Sequence, residues 1–271
     1  MAKKKYLLLW MAIMLMLLSI HPVPAHSRSA NSAHKMVVKP FDSLSFAPPW
    51  FKLAPPAELP SVPEQVVSHG SRKSKKVALT FDACSTSKRS QYDERVVKIL
   101  IETGTKATMF LGGKWMEEEP EQTRFLASVP LFELGNHTFL HPHMTQISSD
   151  RMGAELRWTQ EVLYALTGRE AHLFRPPFGE YNSSVVHTAA AMGLTTVEYD
   201  LPSGDPDVHA TKDKLVEYVT TMARNGSIIV MHMNGHGWHT AEALPEIISG
   251  LKKRGLTFVT VSELMQTLPK P

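Results

Sequence analysis

Residues 77–84 read VALTFDAC. Val77 to Phe81 form a short run rich in apolar and β-branched types, bounded by a polar residue, as a buried strand is. Asp82 follows it directly. Working outward, six further runs share this character: ATMFL (107–111), FELGN (132–136), LFRPP (173–177), TTVEY (195–199), SIIVMH (227–232) and TFVTV (257–261). Helix-like stretches separate most of them. Tyr92–Glu102 carries Val96, Val97, Leu100 and Ile101 at helical spacing, and Ser149–Leu166 opens on a candidate serine cap. Ser183–Met192, Lys212–Arg224 and Ala241–Lys253 complete the set. Strands alternating with helices predict βαβ units, an α/β fold and a mostly parallel sheet. About seven such strands suit a closed or nearly closed barrel, with a doubly wound open sheet as the structural alternative. In either, chemistry gathers where the strands end.

The residues at those ends are reactive types. Asp82 follows the first strand, His137 and His141 the third, Arg175 the fourth, Asp200 and Asp205 the fifth, and His232 closes the sixth. Two imidazoles four positions apart, on a helical turn or a loop of similar pitch, can reach one cation. Asp82 is read as a general base, a metal ligand or a helix cap. Arg175, stiffened by Pro176 and Pro177, would hold a neighbouring carboxylate ionised, or else form a structural ion pair. His232 is a candidate general acid, provided a carboxylate fixes its tautomer, and Asp205 is the candidate partner. In NGHGWHT (234–240), Trp238 could stack on a sugar ring or simply cover the rim.

The remainder of the chain bounds the reading. Of 271 residues, 43% are hydrophobic and 20% charged, enough for a real core. One cysteine, Cys84, excludes an intramolecular disulfide and a cysteine-rich zinc module. Residues 1–25 read as a secretory signal peptide: Lys3 to Lys5, a 15-residue apolar run from Tyr6 to Ile20 broken only by Ser19, then HPVPA. That run is shorter than a membrane span of about 20 residues, so membrane association through the leader would be transient. Removing its three lysines from the 29 basic residues leaves 26 against 26 acids, so the formal charge of +3 belongs to the leader and nucleic acid is not an expected partner. Residues 26–73 hold seven prolines between Pro40 and Pro63 and are read as a linker or an extended arm anchored by Phe46, Trp50 and Phe51. The catalytic domain is then 74–268.

In this order TFDAC (80–84), HTFLH (137–141), RPPFG (175–179), YDLPSGD (199–205) and VMH (230–232) resemble the five motifs of the polysaccharide deacetylase family, the nodulation-protein-B-like carbohydrate esterases. The resemblance implies a distorted (β/α) barrel that removes acetyl groups from N-acetylglucosamine-containing polysaccharide such as peptidoglycan or chitin. It implies that His137 and His141 hold a divalent metal, zinc first, that Asp82 is the base oriented by Arg175, and that His232 is the acid tuned by Asp205. Tyr199 and Val230 would line the acetyl-methyl pocket. One position departs: where the family has a second aspartate as third metal ligand, this chain has Ala83. Two histidines alone could hold the metal, or Asp82, Cys84 or His143 could substitute, or catalysis could be absent. Cys84 as a thiolate would favour zinc; its bland reading is a small buried side chain. The expected activity is an exported N-deacetylase of the periplasm, cell envelope or exterior. A non-catalytic glycan-binding protein on the same scaffold and an O-acetyl carbohydrate esterase are the alternatives.

Overall fold

The computed structural model describes residues 59–86 and 88–269, so the leader and the proposed anchors Phe46, Trp50 and Phe51 lie outside the described residues. Among the described residues no helix is long and apolar enough to cross a membrane. In chain order the elements are β1 (Val66–Val67), β2 (Lys76–Ala83), α1 (Glu94–Glu102), β3 (Ala107–Leu111), α2 (Gly113–Glu118), α3 (Pro120–Ser128) and β4 (Phe132–Asn136). There follow α4 (Ser149–Thr167), β5 (Leu173–Phe174), α5 (Ser183–Ala191), β6 (Thr195–Val197), β7 (Leu201–Pro202), α6 (Lys212–Met222), β8 (Ile228–His232), α7 (Thr240–Lys253), β9 (Thr257–Phe258) and α8 (Val261–Met265).

Eight strands form one curled parallel path, β1-β6-β5-β4-β3-β2-β8-β7, and β9 adds to β2. β3 is buried along its whole length, as a parallel strand covered on both faces requires. Alternation along β2 sorts its residues. Val77, Leu79, Phe81 and Ala83 pack into the main core with Val96, Val97 and Leu100 of α1 and Leu244, Ile247 and Ile248 of α7. Ala78 faces the opposite side, against Phe110, Val197 and Ile228. Thr80 and Asp82 share that inner face by the same two-residue period. β8 follows suit: Ile229 and Met231 join the main core, leaving Ile228, Val230 and His232 on the other face.

Register aligns the strand ends. Asp82 pairs with His232 on one side and Phe110 on the other, Leu111 with Asn136, and Asn136 with Phe174. Local chemistry fixes the helices. Ser148, rather than Ser149, caps α4 by accepting from the Arg151 N–H, and Gly168 ends it with φ 67°. Asn182, Thr211 and Thr260 cap α5, α6 and α8 in the same way.

The barrel is open: β1 and β7 end the path without pairing to each other. β1 and β7 are additions to the seven strands expected. Residues 62–70 lie along the domain, with Val62 N–H donating to the Ala190 carbonyl at 3.0 Å and Gly70 N–H to that of Gly226 at 2.7 Å.

Candidate active site

Asp82 ends the inner face of β2 and is 5% exposed. Its Oδ1 accepts from an Arg175 guanidinium nitrogen at 2.8 Å, and its Oδ2 lies 3.8 Å from His137 Nε2. Arg175 follows β5 directly, because Pro176 and Pro177 cannot continue the ladder. The same Arg175 nitrogen donates to Thr80 Oγ1 at 2.8 Å, and the guanidinium lies 4.1 Å from the centroid of the Phe110 ring. Burial would raise the Asp82 carboxyl, but the positive charge and hydrogen bond of Arg175 outweigh it and hold Asp82 below the usual carboxylate range.

His137 extends β4 by one residue. Its Nδ1 bonds the Arg175 carbonyl at 2.8 Å. A carbonyl only accepts, so Nδ1 carries the proton and Nε2 keeps its lone pair toward the site. Burial, the largest influence, lowers the imidazole below its ordinary value and keeps it neutral, the form that binds a cation. His141 is also lowered, to about 3, by burial and then by His137. The two rings stand edge to face, 4.9 Å between centroids, and His141 Nδ1 is buried without a hydrogen-bond partner among the described residues.

The segment joining them is a loop, not a helical turn, and Thr138 and His141 both hold positive φ, at 64° and 56°. Several bonds compel this unfavourable backbone. Thr138 N–H donates to Asn136 Oδ1 at 2.9 Å, and His141 N–H to Thr138 Oγ1 at 3.1 Å. The N–H groups of Phe139 and Leu140 both reach Glu155 Oε2, at 2.8 and 2.7 Å. Glu155 is fully buried in α4 and ion-paired with Arg151. Sequence reading missed it, since a glutamate inside a helix resembles a solvated face.

His232 ends β8. Its Nδ1 donates to Asp205 Oδ1 at 2.9 Å, and its backbone N–H to Asp205 Oδ2 at 2.7 Å. Ser203 and Thr240 hydroxyls complete the acceptor shell of Asp205 at 2.9 and 2.7 Å. Burial would lower His232, but the Asp205 hydrogen bond and charge, with Asp82 behind them, raise it above its ordinary value. The proton held on Nδ1 leaves Nε2 as the working nitrogen.

Asp200, at the same strand end in the sequence reading, belongs elsewhere. Its carboxylate caps the start of β8 through Ile228 N–H and Ser227 Oγ and pairs with Arg72. His143 is exposed and bonded to Glu180 at 2.8 Å, outside the His137–His141 pair. Val230 lies one turn of the β period before His232, on its face. Tyr199 is half-buried, its ring centroid 5.7 Å from the Arg175 guanidinium. Trp238 is 47% exposed, on a loop tied by its backbone N–H to the Asp205 carbonyl at 2.8 Å. Glu198, buried and not singled out in the sequence, carries a carboxyl pushed up to about 7 by burial against the opposing pull of Arg175. Its signal in the sequence is the one charge in the otherwise uncharged run TTVEY (195–199), just past the end of β6.

Among the described residues one group of three can hold a metal ion: Cys84, His137 and His141, their donor atoms all within 4.8 Å of one another. The residues fit a cation, since both histidines are neutral and one offers a buried nitrogen with no other partner. Asp82 is not in the group, although its Oδ2 lies 3.8 Å from His137 Nε2. Burial and then Asp82 push the Cys84 thiol up to about 12.

A family model described as polysaccharide deacetylase matches residues 69–197. The peptidoglycan-N-acetylmuramic acid deacetylase of Bacillus subtilis (strain 168) is 29% identical over 199 residues, spanning 72% of this chain and 73% of that protein. The crystal structure of a CE4 family pseudoenzyme from Bacillus anthracis superposes with a TM-score of 0.69 at 27% identity, covering 77% of this chain and 72% of that one. A family 4 carbohydrate esterase from Streptomyces lividans, in complex with acetate, gives 0.59 at 33% identity, covering 68% and 91%.

Proposed function

The chain belongs to the polysaccharide deacetylase family, carbohydrate esterase family 4, and from that premise we propose that it is an exported, divalent-metal-dependent hydrolase removing N-acetyl groups from a polysaccharide built on N-acetylated hexosamine. The observation that carries this is the survival of both orienting pairs, Asp82–Arg175 and His232–Asp205, on adjacent strands in register beside the two histidines. Export rests on the pattern of residues 1–25, and it accords with the named role of the Bacillus subtilis relative in peptidoglycan.

His137 and His141 would hold the metal, zinc by preference. Bound there, it would polarise the acetyl carbonyl and acidify water. Asp82 then works as the base. Arg175 occupies Oδ1, which leaves Oδ2 to take the proton as water adds to the acetyl carbon. A carboxylate held below its usual range stays ionised and so stays able to accept a proton. His232, raised by Asp205, keeps a proton on Nε2 and passes it to the amine nitrogen as the C–N bond breaks. Acetate and a free amine leave. Tyr199 and Val230 would bound the acetyl methyl group, and Trp238 would offer its face to a sugar ring.

A second reading, a non-catalytic glycan-binding protein, draws on Ala83 and on the likeness to a family member described as a pseudoenzyme. Purified protein with zinc is incubated with N-acetylglucosamine oligomers, peptidoglycan fragments and acetylated xylan, and released acetate is measured. Release from the first two and its loss in Asp82→Asn, with metal retained, is the expected result. Glycan binding without acetate release under any divalent metal overturns the enzyme in favour of the binding protein. Release from xylan alone makes it an O-acetyl esterase.

A further inference from the structure

The strand alternation that places Asp82 in the site also decides what lies two residues on. Ala83 points into the main apolar core with Val77, Leu79 and Phe81. Position 84 therefore returns to the inner face, the face of Thr80 and Asp82. The chain is held on both sides of this step: Ala83 O accepts from Gly112 N–H at 2.8 Å, and Cys84 O from Asn234 Nδ2 at 3.0 Å. A side chain at Gly112 would press on Cys84, its Cβ only 3.3 Å from both Cα and Cβ of the cysteine. The buried thiol lies within 4.8 Å of donor nitrogens of His137 and His141.

We propose that Cys84 supplies the third protein ligand of the metal site, giving a Cys–His–His donor set. The proposal rests on the metal-dependent reading of the previous section and specifies its chemistry. A tetrahedral zinc holds nitrogen and sulfur donors about 3.3–3.6 Å apart at ordinary bond lengths. Donors within 4.8 Å of one another close on that geometry by side-chain rotations of about an ångström. The set carries one anionic and two neutral donors, because a cation displaces the proton of a coordinating thiol. Three protein ligands on a tetrahedral ion leave one position for water or substrate, the pattern of catalytic rather than structural zinc. Sulfur also changes which metal binds: thiolate with imidazole selects zinc and other soft or borderline ions over magnesium and manganese, which prefer oxygen.

The test is spectroscopic and does not require turnover. Metal-free full-length protein is titrated with cobalt(II), and zinc is then used to displace it. The wild type is expected to show thiolate-to-cobalt charge transfer in the near ultraviolet, and Cys84→Ser to lose that band. Zinc affinity in Cys84→Ser falls about 10- to 100-fold or more, while manganese affinity changes little. As Cys84 is the chain's one cysteine, any thiolate band reports on this residue. Cobalt binding that depends on His137 but shows no charge-transfer band in the wild type overturns the thiolate ligand and leaves the metallohydrolase reading standing. Absence of any cobalt or zinc binding by the wild type overturns both. The wild-type spectrum decides the matter even if a variant fails to fold.

Discussion

Replacing Arg175 by methionine would reverse the pH dependence of stability at the heart of the site. Arg175 and Asp82 are 1% and 5% exposed and meet at 2.8 Å. Two unit charges about 4 Å apart attract by about 4 kcal/mol at an effective dielectric of about 20. Removing one member of a buried pair costs about 3–5 kcal/mol, since the other is left buried and uncompensated. For a domain of about 200 residues each kcal/mol lowers Tm by about 2–4 °C, so Arg175→Met is expected to melt about 6–20 °C lower at pH 7. In the wild type the Asp82 carboxyl is lowered, so its stabilisation is present above the unfolded value near 3.8 and is lost as pH falls through the folded one. Without Arg175 the largest influence, burial, prevails and raises it, so protonation relieves the variant as pH falls. The gap in Tm between wild type and variant must therefore narrow from pH 7 to pH 4, and Asp82→Asn combined with Arg175→Met must recover much of the loss. Calorimetry of the metal-free proteins measures this. A gap below about 1 kcal/mol, or one that does not narrow with acid, would refute an energetic pairing of Arg175 with Asp82.

Three further outcomes are expected. Asp205→Asn removes the charge that raises His232, so the alkaline limb of kcat/KM moves toward acid; the ion-pair share of stability, present below the unfolded histidine value and lost as pH rises through the folded one, should vanish from melts at pH 6 but barely alter those at pH 9. Glu155→Gln disturbs the acceptor of the Phe139 and Leu140 N–H groups without touching a metal donor, and chelator competition should show zinc affinity about 10- to 100-fold weaker. Trp238→Ala, on an exposed rim residue, should raise KM for oligomers about 5- to 30-fold, the equivalent of about 1–2 kcal/mol of apolar burial, and leave kcat nearly unchanged.

The strands most legible in the sequence were short runs with few charges set between helical stretches. Residues 107–111 and 132–136 form β3 and β4 with the same limits, β3 buried throughout and β4 at all positions but Glu133. β1 escaped notice as two valines in a polar setting, whose strand identity comes from β6 alone. TFVTV ended early, at Phe258, since Thr260 and Glu263 form a capping box that starts α8 instead. Asp82, Arg175, Asp205 and His232 could be singled out because they are polar residues following apolar runs, and the fold brings them together in two hydrogen-bonded pairs. The candidate substitutes for the missing aspartate were not separable in the sequence, because their distances from His137 and His141 depend on the fold: Cys84 lies near the pair, while His143 turns to Glu180. Glu155 could not be found at all, because its partners are backbone groups brought to it by the fold.

The pairing of Val66 and Val67 with β6 has a bearing on where the chain can be cut. A fragment begun at residue 74, the start of the domain as composition suggests, would strip β1 away. β6 would then present a row of unsatisfied N–H and C=O groups along Thr195–Val197, all of them buried in the intact protein. A bare edge of this kind recruits strands from other molecules. The Glu198 N–H, which donates to the Val67 carbonyl at 2.9 Å, would lose its partner next to Arg175. Those two valines thus act as a seal against self-association, and a soluble fragment should begin ahead of Val62.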